Sequence, residues 1–220
     1  SIVTDHQGVM AVSDDAGVLS DRFAGTTCHI VPIVGGAALL PGGVSLPLRP
    51  MIGVLGVAPA GEAVPTAMPG AHGGNMDTVL IGEGATLFLP VSAPGALLAA
   101  GDLHAAMGDG EICGTGVEVA GRVRLRASVR CDLRITNPVV ATPDGVATIA
   151  SAPSLDEAAT VATGDMVDLM TARLGLETAT AAMVMSAAGD LRISQVVDPL
   201  KTARFWLPAE VLSQFGRPLV

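Results

Sequence analysis

The sequence predicts a β-rich α+β fold, and three observations support it. Half of the 220 residues are apolar but only 2 % are aromatic, so small and aliphatic side chains must build the core. Glycine (27) and proline (15) are plentiful, which favours short strands joined by tight turns. After residue 153 the apolar period changes from that of a strand to that of a helix. We therefore expect a β-rich part at 1–150, and a helical pair with closing strands of the same domain at 151–220.

Short strands between turns are expected in the N-terminal half. Apolar alternation or continuous apolar runs predict strands at 1–4, 27–34, 37–40, 44–48, 51–58, 78–81 and 86–89. The polar stretch from His6 to Asp15 predicts a loop. Beyond Glu118 the strict alternation of GRVRLRASVRCDLRI predicts the clearest strand of the chain, with arginines on one face. That face suits a solvated sheet surface or a subunit contact better than an anion-binding stripe.

Two helices are expected near the C-terminus. Ser154 with Glu157 three residues later forms a capping box, and helical spacing of apolar residues continues to Leu174 before Gly175. A second, alanine-rich helix is expected at 177–188. Strands are expected at 190–199 and 205–207, and a hairpin at 139–149 around Pro143-Asp144-Gly145.

Charge and composition exclude several classes of protein. The net charge is −9 and the basic residues form no dense run, so binding to a phosphate backbone lacks its main electrostatic source. No apolar run reaches the roughly 18 to 20 residues that span a bilayer, and the N-terminus lacks the features of a signal peptide. We therefore expect a soluble, cytoplasmic protein. Three irregularly spaced cysteines predict reduced thiols rather than disulfides.

The densest group of polar side chains lies between residues 69 and 118. Charged residues are only 15 % of the chain, so their clustering among glycines and alanines indicates a built site. We expect glycine-bounded turns to bring them together, because glycine allows positive φ and close backbone approach. The residues of this group are His72, Asn75, Asp77, Asp102, His104, Asp109, Glu111 and Glu118.

Histidine and carboxylate ligands suit a divalent metal, zinc above all, with one position open for water, whose pKa then falls to about 7. The predicted metal ligands are His72, Asp77, Asp102, His104 and Glu118. A further carboxylate can relay a proton to a leaving group, and glycine N–H groups can stabilise an oxyanion. The predicted catalytic residues are Glu111, Asp109 and Asn75.

Several of these residues have a structural alternative. His72 can hold its loop by hydrogen bonds, Asn75 can cap a loop, and Asp109 can be a turn residue. Cys113 is the rival catalytic group, since some hydrolases use a cysteine nucleophile beside Glu and Lys. The chain has a single lysine, Lys201, and Cys113 stands among small residues as buried thiols often do.

Four blocks of the chain resemble, in the same order, the acetamidase/formamidase family of amide hydrolases. They are LPLRPMIGVLGVAP (46–59), PGAHGGNMDT (69–78), LFLPVSAPGALLAAGDLHAAMGDGEICGTGVE (87–118) and GDLRISQVVDPLKTARFWLP (189–208). The resemblance implies a sandwich-like β core with a C-terminal helical pair. It also implies hydrolysis of a short carboxamide, such as formamide or acetamide, or of a small lactam, at a divalent metal.

Members of that family typically begin with a further β-rich segment upstream of Ser1. We therefore expect the uncovered strand edges of this chain, whose mean hydropathy is +0.55, to be covered by a partner. The expected partner is a second copy in a homo-oligomer, or the missing N-terminal segment in a heterodimer. The alternative from another class is a non-catalytic subunit or binding module that has lost activity with that segment.

Overall fold

The computed structural model describes residues 1–220, and its elements are numbered along the chain. The first sheet contains β1 (Ile2–Val12), β2 (Thr27–Val34), β3 (Ala37–Leu40), β4 (Val44–Pro47), β5 (Met51–Gly56), β6 (Gly73–Asn75), β8 (Ala99–His104) and β9 (Glu118–Val123). The second contains β7 (Thr86–Phe88), β10 (Val139–Thr142), β11 (Gly145–Ala152), β12 (Asp190–Gln195) and β13 (Lys201–Pro208). The α-helices are α1 (Leu155–Leu174), α2 (Thr178–Ala188) and α3 (Ala209–Leu212).

Both sheets are antiparallel. The first has the order β4-β3-β2-β1-β9-β8-β5-β6, and the second the order β12-β13-β11-β10-β7. One core cluster contains side chains from both sheets, including Ile52 and Leu55 from the first and Ile149 and Trp206 from the second. The sheets therefore pack face to face, and the predicted β-rich α+β fold is confirmed.

Helices α1 and α2 cover the other face of the second sheet. Met166 and Met185 pack in one cluster with Val146 and Leu207, whereas Ala147 faces the first sheet. Strand β11 is thus buried on both faces and forms the middle of three layers. None of the helices is long and apolar enough to cross a bilayer.

Local signals set the ends of α1 where the sequence predicts them. The Ser154 hydroxyl accepts a hydrogen bond from the Glu157 N–H at 3.2 Å, which satisfies one of the free donors of the first turn. Gly175 ends the helix in the left-handed conformation, with φ 71°. Residues beyond 151 also complete the second sheet, because β13 pairs with the whole of β11.

The prediction of a long arginine-rich strand after Glu118 is wrong. Strand β9 ends at Val123, and residues 124–134 are mostly exposed and form no strand. Alternation alone cannot make a strand, because the backbone needs a paired neighbour. Strand β1, the partner of β9 on one side, starts at Ile2, which pairs with Val123. On the other side β8 pairs with β9 only at Glu118.

Two further expectations are wrong, one because of pairing with other strands and one because a local turn forms. The predicted loop from His6 onward is part of β1, which continues to Val12 between β2 and β9. Gly8 makes the close approach possible, since a Cβ there would lie 2.7 Å from the Glu118 carbonyl oxygen. The predicted strand at 78–81 is instead a turn closed by a hydrogen bond from the Ile81 N–H to the Thr78 carbonyl.

Candidate metal and active site

The site is centred on His104, the last residue of β8. His104 pairs with Met51 of β5 on one side and with Glu118 of β9 on the other. Asp102 lies two residues earlier on the same strand, with its Oδ1 3.5 Å from His104 Nε2. These two residues were expected in a glycine-bounded turn, and the structure places them in a strand.

Two acidic residues reach His104 from irregular segments. Asp77 follows β6, and its N–H donates to the Gly53 carbonyl at 3.3 Å. Glu111 lies between β8 and β9, and its N–H donates to the Gly108 carbonyl at 3.3 Å. Both residues are buried.

The ligand atoms form two groups that share His104, each with its atoms within 4.8 Å of one another. Asp77, His104 and Glu111 form the deep cluster, and Asp102, His104 and Glu118 form the shallow cluster. The Nε2 atom of His104 lies 3.2 Å from Glu118 Oε1, 3.5 Å from Asp102 Oδ1 and 3.9 Å from Asp77 Oδ1. Four carboxylates therefore surround the single imidazole of His104.

Backbone strain is concentrated in this site. Five non-glycine residues of the chain have positive φ, and three of them are Asp77 (42°), Asp102 (58°) and Glu111 (46°). Such conformations cost on the order of 1 kcal/mol or more each and persist only where the surrounding structure holds them. Strain of this kind is typical of sites that present side chains for function.

Gly53 on β5 forms the floor beneath two of the carboxylates. A Cβ at this position would collide with Oδ2 of Asp102 and with Oδ1 of Asp77. The backbone φ of Gly53 is not positive, so the requirement for glycine here is space rather than conformation. A side chain at residue 53 would fill the volume into which these carboxylates point.

Burial and mutual charge shift the pKa values of the cluster. Burial raises the pKa of Asp77 to about 6 and that of Glu111 to about 9. Burial opposes charge on His104, but the adjacent Asp102 and Glu118 outweigh it and raise its pKa to about 10. The His104 imidazole in turn lowers the pKa of Asp102. A concentration of perturbed groups in one place is characteristic of a functional site.

A buried polar atom without a partner points to a bound cation. Oδ1 of Asp77, 3.9 Å from His104 Nε2, is buried and has no hydrogen-bond partner in the protein. A buried carboxylate oxygen without a donor is costly, and a positive ion would satisfy it. The donor set of one imidazole and several carboxylates fits a divalent metal, zinc included.

The remaining predicted residues lie outside both clusters. Asn75 donates from Nδ2 to Asp198 Oδ2 at 3.0 Å, while its Oδ1 is buried without a partner. Asp109 forms a 2.6 Å salt bridge with Arg204. His72 lines a separate cavity of about 290 Å³, and burial lowers its pKa. Cys113 is half-buried and belongs to neither cluster.

Asp198 is a site residue that sequence reasoning missed. Burial, then the charge of Asp77, raise its pKa to about 7. It lies in the loop between β12 and β13, and only the fold brings it beside Asn75, 123 residues away. Its position in the block VVDPLK, one of the four that carry the family resemblance, was the available signal.

An open groove of about 1010 Å³ leads to the shallow cluster. Asp102 and Glu118 line it together with apolar side chains of the first sheet, among them Val9, Ile30 and Leu103. The groove therefore gives solvent, or a small molecule, a route to the acids of the shallow cluster.

The two-sheet fold and the grouping of four carboxylates around one histidine define a candidate metal-binding protein. Comparison with known proteins identifies its family. The profile of the Acetamidase/Formamidase family matches residues 60–214. The chain belongs to this family.

Two solved structures are similar over nearly the whole chain. A predicted acetamidase/formamidase from Thermoanaerobacter tengcongensis is 48 % identical with a TM-score of 0.95, over 98 % of this chain and 72 % of that one. An acetamidase from Bacillus halodurans is 46 % identical with a TM-score of 0.94, over 98 % and 73 %. The match to an acetamidase of Mycolicibacterium smegmatis, 38 % identical over 72 residues, covers 32 % of this chain but only 18 % of that protein.

Proposed function

We propose that this chain hydrolyses a short carboxamide, such as formamide or acetamide, or a small lactam, with the help of a divalent metal. The convergence of His104 with Asp77, Asp102, Glu111 and Glu118 is the observation that carries the proposal. The names of the relatives, acetamidase and formamidase, supply the substrate class.

Zinc is the proposed metal, because nitrogen and oxygen ligands at a site with an open side suit it. His104 and Asp77 are the proposed central ligands, since Nε2 of His104 faces the carboxylates and Oδ1 of Asp77 is buried without a protein partner. A bound zinc ion would polarise the amide carbonyl and lower the pKa of a water molecule. Asp102 and Glu118 complete the ligand set from the groove side.

Protein groups then handle the proton and the substrate. In the reaction the oxygen of water bonds to the carbonyl carbon, the C–N bond breaks, and a proton passes to the leaving nitrogen. Glu111, in the deep cluster beside His104, is the proposed carrier of that proton. The unpartnered Oδ1 of Asn75 is a hydrogen-bond acceptor for a substrate amide N–H. Asp198, which accepts from Asn75, orients it.

Two rival functions are distinguishable by experiment. A thiol mechanism needs Cys113 within reach of a base, and Cys113 lies outside both clusters. A binding module would keep the site geometry but release no product.

The test measures ammonia release from a panel of amides before chelation, after chelation and after addition of zinc. We expect activity that is lost on chelation and restored by zinc, and that survives Cys113→Ala. Full activity in a metal-free sample would exclude the metal role. Loss of activity only in Cys113→Ala would favour the thiol mechanism, and no product from any amide would favour a binding module.

We also propose that the chain forms a homo-oligomer through residues 124–131. This segment exposes Leu125 (44 %) and Val129 (82 %), and its arginines stand on a chain with a net charge of −9, which favours contact with an acidic surface of a second copy. Light scattering after size exclusion should give at least a dimer, and Val129→Glu should shift it towards monomer. A monodisperse 22.0 kDa wild-type monomer would contradict the proposal.

A further inference from the structure

Arg204 is a buried charge in the interior of the second sheet. It lies on β13 opposite Ile149 of β11 and is 1 % exposed. Removing a guanidinium from water is costly unless good hydrogen-bonding partners replace the water. The partners of Arg204 therefore indicate which part of the molecule this charge serves.

Its two terminal nitrogens bind two different segments. Nη2 donates to Asp109 Oδ2 at 2.6 Å. Nη1 donates to Ser194 Oγ at 3.1 Å and to the Ile193 carbonyl at 2.9 Å. The fork of the guanidinium thus joins the segment before Glu111 to the end of β12.

The Asp109 side of this contact leads directly to Glu111. Gly110, between them, is fixed on both of its polar groups: its N–H donates to the Ser194 carbonyl at 2.9 Å, and its carbonyl accepts from the Val196 N–H at 3.1 Å. The backbone beside Glu111 is therefore hydrogen-bonded to the end of β12, and Arg204 holds the same segment through Asp109.

The Ser194 side leads to Asp77. The hydroxyl of Thr78 donates to Ser194 Oγ at 2.9 Å, and Thr78 directly follows Asp77 in the chain. All three residues, Thr78, Ser194 and Arg204, are buried. A continuous chain of side-chain hydrogen bonds thus runs from Arg204 to the residue beside Asp77.

Building on the function proposed above, we propose that Arg204 is a positioning residue that holds both acids of the deep cluster at once. Asp77 and Glu111 have positive φ, so their backbone needs outside support to stay in place. Arg204 supplies it through Ser194 and Asp109, and Asp109 acts as a partner of Arg204 rather than at the reacting atoms.

Three variants test the two sets of hydrogen bonds separately. Asp109→Ala removes the bond that supports the Glu111 segment, and Ser194→Ala removes the bonds that support the Asp77 segment. Arg204→Lys keeps the charge but replaces the guanidinium by a single amino group, which cannot bind both Asp109 and Ser194. Arg217→Met is the matched control, because Arg217 is exposed and its one hydrogen bond is to the Arg173 carbonyl.

The first measurement is hydrogen exchange of the folded variants. We expect faster exchange at residues 107–112 in Asp109→Ala, at 76–80 in Ser194→Ala, and at both in Arg204→Lys, with α1 unchanged. A uniform increase along the chain, or no increase in either segment, would overturn the proposal. This readout does not depend on activity, so it decides the proposal even if the wild type binds no zinc and hydrolyses no amide.

The second measurement is zinc affinity by calorimetry, with kcat and KM for the best amide. Loss of outer-shell support should weaken zinc binding or kcat about 10-fold to 100-fold in Arg204→Lys, with KM nearly unchanged, and leave Arg217→Met as the wild type. Wild-type zinc affinity and kcat in Arg204→Lys, in a protein that binds zinc and hydrolyses amides, would also overturn the proposal.

Discussion

The deep and shallow clusters share His104 but differ in their access to solvent. The side chain of Asp77 is 2 % exposed, whereas those of Asp102 and Glu118 are 33 % and 27 % exposed. A buried carboxylate loses its hydration and needs a cation or a proton, while an exposed one keeps water as a partner. The deep cluster is therefore suited to hold a charge in place, and the shallow cluster to meet what arrives through the groove.

Removing the shared residue should have the largest effect. His104→Ala takes one ligand from both clusters, and loss of metal-assisted stabilisation worth several kcal/mol corresponds to a fall in kcat/KM of about a thousandfold or more. Zinc content by mass spectrometry and ammonia release check this. A variant that keeps its zinc and activity would show that His104 is not the centre.

A substitution in the deep cluster should have the second largest effect on activity. Glu111→Gln keeps the shape of the side chain but can neither take up nor release a proton, so kcat should fall by about 100-fold to 10,000-fold. Steady-state kinetics test this, with circular dichroism as the control for folding. Unchanged kcat would remove Glu111 from the proton path.

The shallow cluster should be more tolerant. Glu118→Gln leaves an amide oxygen near His104 in a position that water can reach, so we expect a smaller loss of kcat than in Glu111→Gln. The comparison of the two kcat values is the critical result. If Glu118→Gln is more damaging than Glu111→Gln, the roles of the two clusters are reversed.

Adding one methyl group beneath the site should destabilise the fold. Gly53→Ala places a Cβ against both Asp77 and Asp102, and such overpacking costs about 1–3 kcal/mol. Denaturant unfolding measures it. Gly101→Ala on the neighbouring strand is the matched control, since a Cβ there meets nothing within 4 Å. Equal stability of the two variants would contradict the collision.

The smallest effect is expected far from both clusters. Ser154→Ala removes the N-cap of α1 and should cost about 1 kcal/mol of stability without changing kcat. Thermal unfolding measures it, and Ser186→Ala on the exposed face of α2 serves as the control. A change in kcat would show that the helical layer is coupled to the site.

Elements with local causes were predictable from the sequence. Both ends of α1 follow from one hydroxyl and one glycine, Ser154 and Gly175, which act within a few residues of their own position. The stretch from 124 to 134 carries an equally clear period, yet it is no strand, because pairing depends on a neighbour from elsewhere in the chain. Local pattern predicts a helix better than it predicts a strand.

The same division applies to the site. Asp77, Asp102, His104, Glu111 and Glu118 could be selected because they crowd into one glycine-rich stretch. Three features could not be predicted, because they depend on contacts between segments far apart in the chain. They are the division of these residues into two clusters, the need for glycine at residue 53, and the contact of Asp198 with Asn75. The partner of Asp109 is Arg204, 95 residues away, and no spacing in the sequence reveals that pair.

Zinc-edge X-ray absorption of the zinc-loaded protein tests the central claim most directly. The account predicts nitrogen and oxygen ligands at about 2.0–2.2 Å with an imidazole contribution that is absent in His104→Ala. A sulfur ligand at about 2.3 Å would place the metal at a cysteine instead. An imidazole signal that persists in His104→Ala would equally contradict a site centred on His104.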